Sequence, residues 1–550
     1  MLKKVEKSRM KEEYKVCILA AGVGSKLGEV SKYINPAVLP VNCKGAISYI
    51  IEKFPKDMEI VIALGHKKET VRDYLSIVHP DRKFTFVEVD KYIGPGAGPG
   101  YSLLQCKKHL QCPFIFFSSD TIVIEDIPAP DENWFGISPV KETEPYCTVK
   151  IKNNVIYQLD VKVKTDNKFA FIGLAGVKDY QTFFDALEAD SESIQGEIQV
   201  TNGFKKLIEK KLVPIGFTWF DIGNMKNYIE TNKSFSGKND KFDFSKCNEF
   251  LYFVNDRVIK FFANEDITKK RVERASYLKG ICPTIENYKG NFYSYKKVDG
   301  QTLYNSMNSD IIRSFLYWSK DVLWAKKTLT EEELKNFYKV CRNFYYDKTM
   351  KRLQDFYEKT GITDVENNIN GVPVPALKDL LDKVDFDYIC EGIPVRFHGD
   401  FTVGNILVAR DAKTNLNKFT LLDWRQDFGG LTEMGDIYYD LAKLYKGIVL
   451  SDELIKEGMF SFDMSGTSVY YDYFSKNQLV EAKEEYEQFL IKNGFDIQKV
   501  RIIAAIALLN MSPLHNEPFN FLVYFLGKSI LYKTLNELES NGLNNKKIGK

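Results

Sequence analysis

The sequence predicts an α/β protein of two domains, the first built on a mostly parallel sheet with helices on both faces. From Val16 to Ser118, short apolar strands alternate with helical stretches, which is typical of a doubly wound sheet. The chain has 550 residues, more than one hydrophobic core ordinarily supports. A polar stretch, NYIETNKSFSGKNDKFD, runs from Asn227 to Asp243. We therefore expect domains of residues 1–235 and 236–550.

The first domain shows seven elements in alternation. Buried strands are predicted from runs of apolar residues, and helices from amphipathic spacing between them. In chain order they are strand Val16–Ala20, helix Ala46–Phe54, strand Glu59–Leu64, helix Lys68–Leu75, strand Phe84–Val89, helix Gly100–His109 and strand Phe114–Ser118.

The second domain opens with a hairpin and then becomes largely helical. Strands Phe250–Val254 and Val258–Phe262 flank the turn Asn255-Asp256, and a charged helix follows at Ile267–Lys279. From Leu479 to Leu538 apolar residues recur at helical spacing, which predicts a helical cap.

Composition excludes several classes of protein. Net charge is +2, which gives no basis for attraction to nucleic acid or to a membrane surface. Nine cysteines, an odd number without a C-x-x-C pair, indicate neither a disulfide framework nor a zinc site. The charged N-terminal stretch lacks the apolar run of a signal peptide. We expect a cytoplasmic protein that acts on small molecules, with a homo-oligomer left open.

The stretch from Val395 to Gly430 carries the strongest chemical pattern of the second domain. Its apolar runs read as strands, and polar residues stand at their ends: His398-Gly399-Asp400, then Asn405, then Asp423. Phosphoryl transfer needs a carboxylate near the attacking hydroxyl and oxygen ligands for the Mg²⁺ bound to ATP. The alternative is a polar hairpin in which these residues only make turns.

This H-G-D-x4-N spacing followed by D-W resembles the choline kinase and aminoglycoside phosphotransferase family, over about residues 245–530. The resemblance implies a bilobal, protein-kinase-like α+β fold. It implies that Asp400 is the catalytic base and that Asn405 and Asp423 hold metal.

A kinase also needs a strand lysine for the ATP phosphates, paired with a helix carboxylate. Lys260 stands in an apolar strand, where an unpaired charge would be costly. Glu273 is its predicted partner, and Glu265 is the alternative. The segment YSYKKVDGQTL resembles the hinge between the lobes of this family, so backbone groups near Lys297 and Val298 would meet adenine.

The acceptor pocket of the second domain is less sharply indicated. Trp424 and Arg425 follow the predicted metal ligand, and Tyr345, Lys348 and Arg352 recur at helical spacing. Trp and Tyr rings could surround a quaternary ammonium group, although aromatic residues on a helix are more often core. The resemblance also implies a structural role for Asp436 beside the catalytic loop.

In the first domain, a glycine-rich stretch follows the first strand. Glycines allow a tight turn whose N–H groups can face a polyphosphate. The strings LAAGVGSKLG and NPAVLPVNCKGAISYIIE resemble sugar nucleotidyltransferases and their cytidylyltransferase relatives, over about residues 14–235. This implies a Rossmann-like nucleotidyltransferase domain. It also implies nucleotide-binding residues Leu19, Ala21, Gly22, Gly24 and Ser25, with Gly96 and Gly98 in a second glycine-rich loop against the base and ribose.

The same resemblance implies the charged groups of this domain. Asp120 and Asp221 would share Mg²⁺, Lys26 would act in catalysis, and Lys162 would bind the acceptor phosphate, with Lys164 as the alternative. The chain departs from the family twice. Lys26 stands where an arginine is expected, and Pro36 stands where a lysine is expected, with Lys32 close by.

Together these patterns predict a bifunctional enzyme that uses Mg²⁺, ATP and a second NTP. The second domain would phosphorylate a small alcohol, and the first would couple the product to the NTP with release of pyrophosphate. The kinase resemblance favours an amino alcohol such as choline or ethanolamine, with CTP, feeding the decoration of surface polysaccharide, as in capsule biosynthesis, or of lipid. The alternatives are an anomeric sugar kinase joined to a nucleotide-sugar pyrophosphorylase, and a kinase with an inactive nucleotidyltransferase-like scaffold.

Overall fold

A computed structural model describes residues 13–190, 193–194, 196–237 and 246–540. The charged stretch before residue 13 and the residues 238–245 of the predicted boundary lie outside the described residues. The chain forms two compact units. Among the described residues, the first unit contains 13–237, 246–264 and 287–294, and the second contains 265–286 and 295–540.

The first unit is built on a nine-stranded mixed sheet. Four strands at one end are parallel: Phe114–Ser118, Lys15–Ala20, Ile60–Leu64 and Phe84–Glu88, in spatial order. Phe169–Val177 continues the sheet antiparallel to Phe114–Ser118, and the remaining strands are Cys147–Lys152, Val155–Val161, Trp134–Pro139 and Val213–Gly216. The expectation of an α/β first unit is confirmed, but the sheet is mixed and not mostly parallel as expected: besides these four strands, Val213–Gly216 and Trp134–Pro139 pair in parallel, and the other pairings are antiparallel.

Helices complete the first unit: Ala46–Ile51, Lys68–Val78, Pro99–Cys106, Tyr180–Ala189, Thr201–Leu207 and Met225–Ser236. All seven predicted elements are present, with ends that differ by three residues at most. Short two-stranded ladders join Pro40–Val41 to Lys44–Gly45, Thr121–Val123 to Trp219–Asp221, and Ser193–Ile194 to Glu197–Ile198.

The hairpin after the predicted boundary packs with the first unit. Strands Glu249–Val254 and Arg257–Phe262 belong to a four-stranded sheet with Phe292–Lys296 and Ile285–Lys289. The ring of Tyr252 lies 5.1 Å from that of Tyr74, and its hydroxyl donates to the carbonyl of Val38 at 2.9 Å. This buried contact places the hairpin in the first unit, whereas the expected division at residue 235 assigned it to the second domain.

The second unit is largely helical. Its helices are Glu265–Tyr277, Leu303–Ser306, Ser309–Trp318, Glu331–Arg342, Lys348–Thr360, Leu377–Asp382, Phe386–Cys390, Ile437–Val449, Asp452–Lys456, Asn477–Lys492, Ile497–Leu509 and Phe519–Ser540. Its strands are Gln301–Thr302, Asn367–Ile369, Val372–Val374, Pro394–Val395, Ile406–Arg410, Asn417–Leu421, Gly435–Asp436, Phe460–Ser465 and Ser468–Tyr473. The last three helices form the expected C-terminal cap.

One segment, Ile497–Leu514, is long and apolar enough by composition to cross a membrane. It is 61% buried within the unit, as the core helix of a globular protein would be. Leu508 packs there with Phe519 and Leu522 of the last helix.

Candidate active sites

A glycine turn follows the first strand of the central sheet. Strand Lys15–Ala20 lies between two parallel neighbours, so its carboxyl end opens at the edge where α/β sheets bind ligands. Gly24 in this turn has φ 66°, and an added Cβ would lie 2.5 Å from Cγ of Pro36. The Pro36 ring therefore closes the turn by apolar contact at the position where the resemblance leads one to expect a cation.

Two of the predicted nucleotide-binding residues have buried side chains. Leu19 and Ala21 are 9% and 2% exposed, and the carbonyl of Ala21 accepts the N–H of His66 at 3.0 Å. Only backbone groups of this pair could meet a nucleotide. Gly22 and Ser25 are exposed, and an added Cβ at Gly22 would touch nothing within 4 Å.

The second glycine-rich loop is tied to a short strand. Gly96 N–H donates to Gly196 at 2.7 Å, and Ile198 N–H donates to Ala97 at 2.8 Å. Gly98 has φ 124°, and an added Cβ would lie 2.7 Å from the carbonyl oxygen of Ile198. Because both the backbone conformation and the space require glycine there, the loop holds one defined shape before helix Pro99–Cys106.

The structure brings together the two carboxylates that were predicted to share a metal ion. Thr121 pairs with Asp221 across an antiparallel ladder, and the N–H of Ile222 donates to the carbonyl of Asp120 at 3.0 Å. An added Cβ at Gly223 would lie 2.9 Å from Oδ2 of Asp120 and 3.1 Å from Oδ1 of Asp221. Glycine at this position therefore lets the two carboxylates approach each other.

The electrostatics of this pair show that the two charges interact. Burial raises the pKa of Asp120 above its ordinary value, and the negative charge of Asp221 raises it further. Ser118, whose Oγ donates to Asp120 at 2.5 Å, and the Lys26 ammonium act in the opposite direction. Asp221 in turn accepts from the Asn227 amide at 2.6 Å. Among the described residues, no lysine or arginine forms an ion pair within 4 Å of either carboxylate, and a divalent ion would relieve the repulsion between them.

The predicted lysines of this site differ in their surroundings. Lys26 is exposed and near enough to Asp120 to lower the pKa of that carboxyl. Lys32 instead pairs with Glu29 at 2.6 Å on the surface. Lys162 lies 3.7 Å from Glu197, and its N–H donates to the carbonyl of Tyr146 at 2.8 Å.

Tyr146 connects Lys162 to the carboxylates. Its hydroxyl lies 3.4 Å from Oδ2 of Asp221, and its ring packs edge-on against Trp219. Lys162 therefore lies on the same side of the unit as Asp221, whereas the alternative, Lys164, is exposed.

In the second unit, the predicted catalytic loop forms as a compact turn. Asn405 Nδ2 donates to the carbonyl of Asp400 at 2.9 Å and to its Oδ2 at 3.3 Å. The N–H of Leu422 donates to the carbonyl of Asn405 at 2.7 Å, which sets Asp423 beside the turn. Asp423 has φ 58° and pairs with Arg271 at 2.5 Å. The predicted base, Asp400, and the two predicted metal ligands, Asn405 and Asp423, are thus brought together.

Asp400 forms an ion pair with a partly buried lysine. Lys443 Nζ lies 2.8 Å from Oδ1 of Asp400. Burial would raise the pKa of Asp400, but Lys443 outweighs it and lowers that pKa to about 2, even though Asp423 acts against it. Asp400 is therefore ionised at neutral pH.

Two residues that the sequence reasoning missed hold this loop. Asp440 is fully buried and accepts the N–H groups of His398 and Gly399 at 2.8 and 2.7 Å. The Arg274 guanidinium is also buried and donates to the carbonyls of Phe397 and Thr432 at 2.6 and 2.9 Å. The signal in the sequence was a charged residue inside an apolar helix, D-L-A for Asp440.

Asp436, for which a role in fixing the loop was expected, supports a neighbouring segment. It accepts from the hydroxyl of Tyr345 at 2.8 Å and from the N–H of Ile393 at 2.9 Å. Tyr345 is fully buried in these contacts, so it lies in the core and not at an acceptor surface.

The predicted ATP-binding residues fall in different units. Lys260 lies on strand Arg257–Phe262 of the first unit, and Glu273 lies on helix Glu265–Tyr277 of the second. Glu273 is exposed and accepts from the hydroxyl of Thr432 at 3.1 Å. The Lys260–Glu273 pair stays a prediction. Lys297 and Val298 lie between strands Phe292–Lys296 and Gln301–Thr302, and Lys297 is exposed.

Trp424 does not present its ring to an acceptor. Its side chain has no exposed surface, and its indole N–H donates to the carbonyl of Arg271 at 2.8 Å. This corrects the expectation of an aromatic contact there, because a large apolar ring after a strand is more stable in the core. Arg425 lies over the ring of Phe344, with 5.2 Å from its guanidinium carbon to the ring centroid.

Neither site is a ready-made metal centre. In the described part of the chain, no three His, Cys, Asp or Glu side chains converge into a group that could hold a metal ion. Mg²⁺ is commonly held by one or two carboxylates together with substrate phosphates and water. The pairs Asp120 with Asp221 and Asn405 with Asp423 supply that kind of donor set.

Comparison with known proteins covers part of the chain. No family model matches it. Over 230 residues the chain is 30% identical to Bifunctional protein GlmU of Methanococcus vannielii, which covers 40% of this chain and 54% of that protein. The protein of the same name from Methanococcus maripaludis is 28% identical over 229 residues, with the same coverage. The chain thus spans about half the length of the curated relatives it matches.

Solved structures show weak overall likeness. Apo UDP-glucose pyrophosphorylase has a TM-score of 0.36 and 19% identity, covering 41% of this chain and 98% of that one. CTP:phosphocholine cytidylyltransferase from Streptococcus pneumoniae has a TM-score of 0.34 and 19% identity, covering 40% and 99%. The sequence similarity to the GlmU proteins extends over about 40% of the chain. The kinase-like fold of the second unit stays a prediction.

Proposed function

We propose that the first unit is a nucleotidyltransferase that couples a phosphorylated acceptor to an NTP and releases pyrophosphate. The observation that carries this proposal is the approach of Asp120 and Asp221 on either side of Gly223. The sequence similarity to GlmU proteins over the N-terminal part supports it.

The residues of the site have separable tasks. Asp120 and Asp221 would hold Mg²⁺, which neutralises charge on the triphosphate. The turn at Gly24 presents backbone N–H groups to phosphate oxygens, and Lys26 adds a positive charge near Asp120. Lys162 binds the phosphate of the acceptor and orients its oxygen for attack on the α-phosphorus. At position 36 a proline ring supplies no charge, so Lys26 carries a larger share of the stabilisation of the transition state.

The second candidate function is phosphoryl transfer from ATP to a small alcohol in the second unit. The specific observation that favours it is the turn that unites Asp400, Asn405 and Asp423. Asp400 is ionised and accepts the proton of the attacking hydroxyl, while Asn405 and Asp423 would hold Mg²⁺ on the ATP phosphates. Lys443 keeps Asp400 ionised and fixes one of its oxygens.

Joined on one chain, the two activities are consecutive, because the kinase product is the phosphorylated acceptor of the nucleotidyl transfer. With CTP as the second NTP, the product would be an activated alcohol for surface polysaccharide or lipid. A sugar phosphorylated at its anomeric hydroxyl and made into a nucleotide sugar is the alternative. A kinase with an inactive first unit is the other, and Pro36 is the residue that favours it.

The test is a two-step incubation of the full chain followed by ³¹P NMR. ATP is supplied with a panel of alcohols and sugars, and each NTP is then added in turn. We expect a phosphate monoester in the first step and pyrophosphate with one NTP in the second. Asp400→Asn should remove only the first step and Asp120→Asn only the second.

Exposed aspartates provide matched controls. Asp463→Asn in the second unit and Asp126→Asn in the first change one exposed carboxylate each and should leave both steps intact. A phosphate monoester without pyrophosphate for any NTP would reject nucleotidyl transfer. Loss of both steps in Asp400→Asn, when a phosphorylated acceptor is supplied, would reject independent sites.

A further inference from the structure

Four cationic side chains of the second unit lie near one another: Lys348, Arg352, Arg425 and Lys443, here called the basic cluster. Two of them lie on one ring, since Lys348 Nζ is 4.2 Å and the Arg425 guanidinium carbon 5.2 Å from the centroid of Phe344. Lys348 and Arg352 are one turn apart on helix Lys348–Thr360. Like charges at this spacing destabilise a helix unless something compensates them.

The cluster adjoins the predicted catalytic loop. Lys443 lies 2.8 Å from Asp400, as described above. An added Cβ at Gly399, the residue before Asp400, would lie 2.7 Å from Cβ and 3.3 Å from Cδ of Arg425. The Arg425 N–H donates to the carbonyl of His398 at 3.0 Å. Arg425 is therefore fixed against the loop that carries the base.

Carboxylates of the protein compensate only part of this charge. Asp400 forms an ion pair with Lys443, and Asp427 lies 3.4 Å from a cation outside the cluster, Lys270. Asp355, near Arg352, is exposed on the surface. Among the described residues, Asp427 and the exposed Asp355 are thus the carboxylates that offset the charge of Lys348, Arg352 and Arg425.

Hydrogen bonding is equally incomplete. Nη1 of Arg352 is buried and has no hydrogen-bond partner among the described residues. Lys348 Nζ makes a cation–π contact with the ring of Phe344. Burial and the neighbouring charges of Arg425, Arg352 and Lys443 lower the pKa of Lys348 to about 7. A buried cation without partners is costly, and an anion bound between these side chains would remove the cost.

We propose that the acceptor of the second unit is a small alcohol that also carries an anionic group, a carboxylate or a phosphate, bound by Lys348, Arg352 and Arg425. This inference rests on the proposed phosphoryl transfer. It excludes choline and ethanolamine as preferred acceptors, because their ammonium groups would enter a field of like charge and the Trp424 ring, which was expected to contact them, is buried.

The anion positions the alcohol for reaction. With its charged end in the basic cluster, the hydroxyl is directed to Asp400. The hydroxyl oxygen bonds to the γ-phosphorus of ATP while the bond from that phosphorus to the bridging oxygen breaks. ADP leaves with the electron pair, and the hydroxyl proton passes to Asp400. The product carries two anionic groups, one of them new.

The experiment compares acceptors of different charge on the full chain. ATP is supplied with D-glycerate, glycerol 3-phosphate, glycerol, choline or ethanolamine, and ADP formation and ³¹P spectra are followed. We expect kcat/KM for at least one anionic alcohol to exceed those of glycerol and choline by at least about tenfold, since hydrogen bonds to a charged group are stronger than those between neutral groups. Glycerate and glycerol 3-phosphate separate a carboxylate site from a phosphate site.

Substitutions in the cluster test which ligand it serves. Lys348→Met and Arg352→Gln should each raise KM for the anionic alcohol by about tenfold or more and leave KM for ATP within about twofold. Lys348→Arg, which keeps the charge, should retain most of the affinity. Arg342→Gln is the control, because Arg342 is exposed and pairs with Asp387 at 3.1 Å outside the cluster. A rise in KM for ATP instead of the acceptor would overturn the proposal.

Failure of this inference and failure of the kinase function give different results. Preferred phosphorylation of choline or ethanolamine would overturn the anionic acceptor and leave the kinase function standing. If none of the alcohols is phosphorylated, the kinase function is rejected. Calorimetry with D-glycerate and with inorganic phosphate then tests whether the basic cluster binds an anion. Binding that weakens in Lys348→Met and Arg352→Gln, but not in Arg342→Gln, supports the anion site. Absent or unaffected binding refutes it.

Discussion

Replacing Asp120 with asparagine should stabilise the first unit while it removes nucleotidyl transfer. Asp120 and Asp221 approach each other across Gly223, and Asp221 helps to raise the pKa of Asp120. The substitution removes one of the two charges. It costs little in hydrogen bonding, because the partner of Asp120 Oδ1 is the Ser118 hydroxyl, which can still donate to an amide oxygen. The new amide N–H₂ can also donate to Asp221.

The size of the effect follows from the geometry. Oδ2 of Asp120 and Oδ1 of Asp221 lie 2.9 and 3.1 Å from one point, the Cβ position of Gly223, so they are at most about 6 Å apart. Two charges at that separation repel by about 3 kcal/mol at an effective dielectric constant of about 20. Water reaches this partly exposed pair, so we reduce the expected gain in the free energy of unfolding to about 1 kcal/mol. The loss of activity should be at least about a thousandfold, because the variant loses a charge that stabilises the reacting triphosphate.

Hydrogen exchange of the full chain measures the stability of the first unit separately from that of the second. Amides of the central strand Lys15–Ala20 report its opening. In the wild type, Mg²⁺ with CTP should slow their exchange further, whereas Asp120→Asn should show slower exchange without ligand and little additional protection with it. Asp126→Asn, which alters an exposed carboxylate, should change neither quantity.

Two outcomes would refute this reasoning. Faster exchange in Asp120→Asn would mean that the two carboxylates do not repel in the folded protein. Retained nucleotidyl transfer would mean that Asp120 is not part of the site that holds the triphosphate.

Three further predictions concern single residues. His79 is buried against Ser48, and burial lowers its pKa to about 4. Because the unfolded chain binds the proton more readily than the folded chain, the free energy of unfolding should fall by up to about 3 kcal/mol as pH drops from about 6.5 to 4. In His79→Gln, denaturant unfolding should lose this part of the pH dependence, and an unchanged slope would contradict the assignment. Gly98→Ala should lower the free energy of unfolding by about 1–3 kcal/mol, because φ 124° and the close Ile198 carbonyl exclude a side chain. The same variant should raise KM for the NTP, and a KM equal to that of the wild type would show that the loop does not contact the nucleotide. Asp440→Ala should lower the free energy of unfolding by about 3 kcal/mol, because it leaves the buried N–H groups of His398 and Gly399 unpaired. Thermal melts should show this loss, and kinetics should show slower phosphoryl transfer. An unchanged melting temperature would mean that water replaces the carboxylate.

The two proposed activities depend on different residues, so each can fail alone. In the proposed nucleotidyl transfer, Pro36 and Lys26 determine how much positive charge the first unit supplies. Pro36→Lys would place an ammonium group beside the turn at Gly24, where the ring now packs. Higher nucleotidyl transfer in that variant would show that charge at position 36 limits the wild type. Unchanged transfer would show that Lys26 already suffices.

The sequence by itself determined the local elements and the chemistry that follows them. Strands such as Phe114–Ser118 could be predicted because a short run of apolar residues bounded by polar ones is typical of a buried strand. The glycine-rich turn after Ala20 could be predicted because few residues other than glycine tolerate a positive φ. The spacing of Asp400 and Asn405 within one turn is likewise a local property of the chain.

Only the tertiary structure decided which distant residues meet. Asp120 and Asp221 are about a hundred positions apart, and their approach depends on a strand pairing that no local pattern encodes. The basic cluster draws residues from one helix, one loop and a second helix, so its charge imbalance is invisible along the chain. The burial of Trp424 and the packing of Tyr252 on Tyr74 have the same physical cause. A large ring is buried where the assembled fold leaves an apolar space of its size, and that space is formed by residues distant in sequence.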